Sequence, residues 1–352
     1  MTLLLANEDV AQVLDMRAAL ETLEPAYREL VNGQGVLRPQ SQTYLPGPLP
    51  NSSYCLKTVE GGSEALGVMA IRITSDVLRG REIDGRLRRE KIAAAPGGRF
   101  LGLVLLFSLE TGELLAIMPD GIIQRLRVGA SSALAADRLA RRGAARLGLI
   151  GAGNQAEAQL HGLALVRQLT SVRVYSPTPE RRAAFAERVG LELNITIMQA
   201  LNAQEAIEGA DIVATATNSG DPVLDPDWLE PGMHVGFIRE FEASDAALDR
   251  ADVLVVHTRQ GEIDHHTPRG GEHLADLQRG RGYPWQRYPE LADLLGGLTP
   301  GRADPSQLTM FMNNFGTGIQ FAALGARAWR ECQARDLGKQ IPSDWFLETL
   351  QP

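Results

Sequence analysis

Apolar positions follow two different rhythms along this chain. Over residues 8–33 they recur at helical spacing. Val10, Val13 and Leu14 share one face, Leu20, Leu23 and Tyr27 a second, and Gly33 and Gly35 close the run, so two consecutive helical segments are predicted. Residues 38–50 are Pro-rich and read as a loop. Residues 54–60 and 67–74 read as strands, and the polar, Gly-rich residues 79–98 as a loop or arm. Residues 100–109 and 114–118 flank the turn Glu110-Thr111-Gly112-Glu113 as an antiparallel hairpin. The first 120 residues are therefore expected to form an α+β unit, and the Ala-rich residues 126–142 a helix joining it to the next domain.

From residue 145 short apolar runs alternate with amphipathic ones. Strands are predicted at 146–150, 172–175, 195–198, 212–215, 234–237 and 253–256, and helices at 154–169 and 179–189. This βαβ rhythm predicts a Rossmann-type doubly wound parallel sheet, so the fold class is α/β with an added α+β domain. The expected division is a dinucleotide-binding domain over 126–317 and a second domain made of 1–125 with 318–352, to which the helix 318–332 returns.

The sharpest local signal is LGLIGAGNQAEAQL, residues 147–160. Gly151, Gly153 and Ala156 fit G-x-G-x-x-G/A directly between a strand and a helix. Gly151 permits the tight turn, Gly153 lets the backbone approach a pyrophosphate, and Ala156 lets helix and strand pack closely. The amides around Asn154 and Gln155 then face the anion. An acid at the end of the second strand would mark the ribose 2′-hydroxyl of NAD(H). That strand ends instead at Ser176, followed by Thr178, Arg181 and Arg182, which favours NADP(H), with NAD(H) the alternative. Thr215, Thr217 and Asn218, where a later strand runs into a polar loop, are expected near the nicotinamide ribose.

Composition narrows the class. The 352 residues are 44% hydrophobic, and no window is long and apolar enough to span a membrane. The start of the chain lacks the basic region and apolar stretch of a signal peptide, so a cytoplasmic protein is expected. A net charge of −8 argues against a nucleic-acid partner. Cys55 and Cys332 offer neither a disulfide framework nor zinc spacing and read as buried thiols. His265, His266 and His273, with Glu262, Asp264 and Glu272, read as a polar surface loop, His161 and His234 as structural, and no metal is expected.

Several segments, in order and over most of the chain, resemble the ornithine cyclodeaminase/mu-crystallin family: YCLKTVE (54–60), DGIIQRLRVGASSALAADRLA (120–140), LGLIGAGNQAEAQ (147–159), ADIVATATNSGDPVL (210–224), PGMHVGF (231–237) and FMNNFGTGIQFAALGARAW (311–329). The resemblance implies homodimers whose N-terminal domain binds a small amino or imino acid and makes the dimer contact, while the central domain binds NAD(P). It implies reaction at a Cα–N bond next to a carboxylate, through an imine. Taken alone, Lys57 reads as an edge-strand charge and Arg127 as an ion-pair residue at a helix start. The resemblance makes Lys57 the active-site lysine and Arg127 the clamp for the substrate carboxylate, a task that suits the guanidinium fork.

Three departures matter. The family's early arginine, in a P-x-R or P-R context, is replaced by Gln40 or Ser41. The aspartate that ornithine cyclodeaminase carries beyond PGMHVGF has no counterpart near Phe241, leaving Glu240 or Glu242 to serve. The usual Gln-Asp of the last signature is Gln320-Phe321. The expected activity is therefore that of an NAD(P)-dependent imine reductase or amino-acid dehydrogenase. The alternatives are ornithine cyclodeaminase, a lyase using NAD+ catalytically, and a non-catalytic NADPH-binding protein.

Overall fold

The computed structural model describes residues 1–83, 86–260, 264–267 and 283–349, apart from the side chains of 81–83, 86–89, 264 and 265. Two sheets organise them. The first collects β1 (Thr2–Leu4), β2 (Gly35–Leu37), β3 (Ser41–Pro46), β4 (Ser52–Ser63), β5 (Val68–Ile83), β6 (Arg86–Ile92), β7 (Leu101–Ser108), β8 (Leu114–Pro119), β15 (Asp264–His266) and β17 (Lys339–Ile341). Its order is β15-β3-β4-β5-β7-β8-β1-β17, with β2 on β4 and β6 on β5. The second is a parallel sheet of β9 (Arg146–Ile150), β10 (Ser171–Tyr175), β11 (Ile197–Gln199), β12 (Ile212–Thr215), β13 (His234–Phe237), β14 (Val253–Val256) and β16 (Thr309–Met312), in the order β11-β10-β9-β12-β13-β16-β14.

Helices follow the predicted rhythm. The opening run splits into α1 (Asn7–Val13) and α2 (Met16–Val31), the second capped by Asp15, whose carboxylate accepts from the Ala18 amide at 2.7 Å. α3 (Gly121–Leu139) begins five residues earlier than expected and connects the two sheets. α4 (Asn154–Val166), α5 (Pro179–Leu193), α6 (Ala203–Ile207), α7 (Asp245–Leu248) and α8 (Leu291–Leu295) belong with the parallel sheet, and α9 (Gly318–Ala334) returns to the first.

The first core is built by alternation. Val68 and Ala70 on β5, Val104 and Leu106 on β7, and Ala116 and Met118 on β8 all point to one side, where Ile319, Phe321, Ala322 and Leu324 of α9 meet them. The approach is close because Gly61 and Gly318 carry no side chains: a Cβ on Gly318 would lie 1.9 Å from the Glu60 carbonyl carbon. α3 packs on α4 through a second pair of bare positions, Gly129 and Gly162.

Several expectations are corrected. The Pro-rich stretch holds β3, paired antiparallel with β4, and within residues 79–98, read as a loop or arm, 79–83 end β5 and 86–92 form its antiparallel partner β6. Residues 264–266 form a strand parallel to β3, whereas Glu262, Glu272 and His273 lie outside the described residues. The third strand of the parallel sheet sits at 197–199 rather than 195–198. Four short strands, β1, β2, β16 and β17, went unpredicted. The edge strands β6 and β15, and β3 between β15 and β4, are rich in Arg, Gln, Ser and His, so they lack the apolar alternation from which strands are read. Among the described residues, no helix is long and apolar enough to cross a membrane.

Candidate active site

The order in which strands are added to the parallel sheet reverses between β9 and β12, and the crevice beyond their carboxyl ends is where such sheets take ligands. Gly151 ends β9 with φ +123°, a conformation that disfavours any side chain, and a Cβ there would lie 2.3 Å from the Ala216 carbonyl oxygen. Gly153, the N-cap of α4, is extended and faces open space. Asn154 is exposed, Gln155 is half-buried with its Oε1 unpartnered among the described residues, and Ala156 is fully buried against β9. The loop therefore offers a bare approach to the amides of a helix start.

Ser176 and Thr178 follow β10, Ser176 half-buried and Thr178 exposed. Arg182, not Arg181, is held at the strand end: it donates to the Ser176 carbonyl at 2.9 Å and stacks over Tyr175, while Arg181 is exposed. Thr215 is buried, Thr217 half-buried and Asn218 exposed in the loop after β12. That loop is tied to the one after β13 by Glu242. Its fully buried carboxylate accepts from the Thr217 amide at 2.6 Å and from the amides of Ile238 and Arg239, both at 3.1 Å. Burial raises its pKa against the pull of these donors. Glu242 is thus engaged by backbone amides and does not line the cleft described below. Glu240 does reach the cleft, but its Oε2 accepts from Trp285 Nε1 at 2.9 Å.

A cleft of about 270 Å³ lies between the first sheet and the loops that leave β13 and β16. It brings together Lys57, Arg127 and Glu240, with Arg72, Thr74 and Gln42, which the sequence did not mark as site residues. Lys57 is half-buried on β4, opposite Gln42 of β3 and Thr74 of β5. Arg127, one-third of the way along α3, is 6% exposed and has no ion-pair partner among the described residues; its Nε donates to Gln124 Oε1 at 3.2 Å. Burial and the neighbouring Arg72 pull its pKa down to about 9, which leaves it a cation at neutral pH. Arg72 donates to Asp120 at 2.7 Å. Both guanidiniums lie over the ring of Phe321, at 5.0 Å for Arg72 and 6.0 Å for Arg127. The residue that departs from the family's Gln-Asp pair is therefore the platform beneath the two arginines.

Arg127 is braced from below. Its carbonyl accepts from Ser131 Oγ at 2.7 Å, and Ser131 meets the Tyr27 hydroxyl at 2.7 Å. Gln320 Nε2 donates to both, at 2.8 Å to Tyr27 and 2.9 Å to Ser131, and Tyr27 also meets His257 Nε2 at 2.7 Å. His257 is neutral: burial, then the charge of Arg127, lowers its pKa to about 3. His234 is structural as expected, bonded to Thr309 at 3.0 Å. His161, Glu157 and Glu192 bring potential metal-ligand atoms within 4.8 Å of one another. Arg188 already holds both carboxylates, at 2.6 and 3.1 Å. Cys55 and Cys332 are both buried and unbridged.

The profile of the ornithine cyclodeaminase/mu-crystallin family matches residues 89–324. The chain belongs to that family. Within it, the chain is 25% identical over 346 residues to a Δ1-pyrroline-2-carboxylate reductase of Bacillus cereus, which covers 97% of this chain and 99% of that one. It is 24% identical over 351 residues to an alanine dehydrogenase of Archaeoglobus fulgidus, covering 97% and 98%. The structure of the Δ1-pyrroline-2-carboxylate reductase of Thermococcus litoralis, in complex with NADH and L-proline, superposes with a TM-score of 0.78 at 25% identity over 97% of this chain and 100% of that one.

Proposed function

We propose that this member of the ornithine cyclodeaminase/mu-crystallin family is an NAD(P)-dependent oxidoreductase working at the Cα–N bond of a small amino or imino acid. One observation carries the reading: a buried arginine without a counter-ion among the described residues, Arg127, shares a cleft with Lys57 at the carboxyl edge of a dinucleotide-type sheet. A buried charge left unpaired is costly, and a substrate carboxylate removes that cost. The full-length similarity to reductases and dehydrogenases supports the same reaction class.

The loop at 151–156 fits a dinucleotide, because Gly153 leaves open the space a diphosphate needs. When bound, a nicotinamide supplies or accepts hydride at its C4. The chain's own residues do the rest. Arg127, with Arg72 beside it, holds the carboxylate and so fixes the direction of Cα. Lys57 moves a proton to or from the substrate nitrogen or water. The loops after β13 and β16 roof the cleft and limit water.

Three finer readings accompany this one. NADP(H) is preferred, since no acid ends β10 and Arg182 is stationed there beside Ser176 and Thr178, with Arg181 one position away. The protein is a homodimer. The face of the first sheet turned away from α9 carries the cross-strand pairs Ile71–Leu105 and Ile73–Leu103, half-buried, with Leu56 and Leu101 exposed beside them. Residues 1–125 with 318–352 serve substrate and dimer contact, and 126–317 the cofactor. Against the cyclodeaminase alternative, Glu240 is engaged by Trp285 and flanked by Arg239, which repels a cationic side chain.

The test is a fluorescence titration with NADPH and NADH, followed by a panel of 2-oxo acids with ammonia or amines, and of amino acids with the oxidised cofactors. Turnover with net change in reduced cofactor is expected. Ammonia release from ornithine without that change would assign the cyclodeaminase instead, and tight NADPH binding with no turnover across the panel would assign a binding protein.

A further inference from the structure

The cleft extends beyond the arginines. On β5 the alternate residues Arg72, Thr74 and Asp76 line it, and at about 3.3 Å per residue Thr74 sits roughly 7 Å along the strand from Arg72. Gln42, Lys57 and Thr74 form one row across β3, β4 and β5. Gln42 is fully buried and Thr74 is 4% exposed, yet neither Gln42 Nε2 nor Thr74 Oγ1 has a hydrogen-bond partner among the described residues. The orientation of Gln42 is fixed by its other end, where Oε1 accepts from the Tyr44 hydroxyl at 2.6 Å and lies 3.6 Å from Cys55 Sγ. Its amide N–H groups are therefore the end left for a ligand. A buried donor without an acceptor bears its full desolvation cost, so two such groups on residues that line one cleft imply that something acceptor-rich belongs there.

The charges agree. Lys91 of β6 bonds the buried Asp76 at 2.9 Å, which neutralises the acid at this end of the cleft. The cations lining the cleft are Lys57, Arg72, Lys91, Arg127 and Arg239, against Asp76 and Glu240 in the lining and Asp120 paired with Arg72. One carboxylate at Arg127 leaves this balance positive. An apolar substrate side chain would leave both donors unpaired, and an amine would meet Lys57 and Lys91.

We propose that Gln42 and Thr74, backed by Lys91, form a subsite for a second carboxylate, so that the substrate is a four- or five-carbon amino or imino dicarboxylic acid. The inference rests on the oxidoreductase reading for the place of the first carboxylate, at Arg127. The full-length protein is assayed with glutamate and aspartate against norvaline, 2-aminobutyrate and ornithine, and in reverse with the corresponding 2-oxo acids and ammonium. A dicarboxylate is expected to exceed its monocarboxylate counterpart at least 100-fold in kcat/KM, and Thr74→Val and Gln42→Met should each cut that ratio about tenfold. Preference for a monocarboxylate or ornithine, or a ratio that neither variant moves, would overturn the subsite. Should no amino or imino acid turn over, the oxidoreductase reading fails separately. Calorimetry of glutarate against pentanoate on the cofactor-loaded protein then still reads the subsite: tighter glutarate binding that weakens in Thr74→Val upholds it, and equal binding refutes it.

Discussion

Gly316→Ala isolates the position of Arg127 from its charge. Gly316 has no left-handed backbone to lose, so alanine is conformationally acceptable there, but its Cβ would stand 2.9 Å from Arg127 Cζ and 3.0 and 3.1 Å from Nη2 and Nη1. Ordinary van der Waals contact begins near 3.4 Å. The guanidinium must retreat by about half an ångström, over a Phe321 ring that is itself fully buried. A misplacement of about 1 Å in a positioning group costs roughly 10²-fold in rate, so half of that costs about tenfold, or about 1.4 kcal/mol of transition-state stabilisation. Arg127→Lys, which keeps the charge but loses the fork, sets the scale of complete loss at about 10² to 10³-fold. The assay is steady-state kcat/KM for the amino-acid substrate, with cofactor affinity measured in parallel by fluorescence. The loss should fall on kcat/KM and leave the cofactor dissociation constant within about twofold. A variant with wild-type kcat/KM, or one that loses cofactor affinity in equal measure, would refute the claim that this glycine exists to seat the clamp.

Other expectations rest on single observations. Gly151→Ala should fail to fold or lose several kcal/mol by urea unfolding, on the order of a strained backbone plus overpacking, whereas Gly153→Ala should fold normally but bind NADPH at least about tenfold more weakly. Equal behaviour of the two would undo the assignment of roles in the loop. Asp211 is pushed upward by burial, but the bonds from Arg146 and from the amides of Ala145 and Arg146 outweigh this and hold its pKa at about 2. A depressed acid stabilises the fold above its unfolded pKa, and the benefit disappears as the pH falls through 4 towards 2. Asp211→Asn should therefore cost about 2 kcal/mol at pH 7, with a gap from wild type that narrows below pH 4. His234 and His257 both have pKa values near 3, lowered first by burial and then by neighbouring arginines. Below about pH 6.5 the unfolded chain takes up protons that the folded chain refuses, so stability should decline from pH 7 to pH 4 by up to about 1.4 kcal/mol per pH unit for each histidine. Urea midpoints that stay constant over that range, in a protein still fully folded at pH 4, would contradict both assignments.

What the amino-acid sequence determined by itself was everything that depends on local chemistry. The strand-glycine-helix turn at 151–156 declares its conformation, because few residues tolerate φ near +123° and a helix start needs a bare approach. The apolar runs of β9, β12, β13 and β14 are buried on both faces and therefore legible, and the two opening helices show their faces in their spacing. Lys57 and Arg127 were legible only through resemblance, since a lone lysine on a strand and a lone arginine on a helix carry no local mark. β16 escaped because a threonine and three apolar residues preceded by a polar loop do not distinguish a central strand from a buried turn, and its place between β13 and β14 is a matter of crossover. β6 and the end of β5 escaped because they are charged runs without apolar alternation, in which Arg79 answers Glu90 and Lys91 answers Asp76 across the ribbon. Tertiary structure alone decided that Phe321 lies under two arginines. It alone set Tyr27, Ser131, His257 and Gln320, up to 293 residues apart, in one buried network. It also turned Glu242 inward to the backbone and aligned Gln42, Lys57 and Thr74 across three strands. Each of these is a meeting of side chains from distant segments, fixed by strand register and helix packing, and no short window of sequence contains the partners.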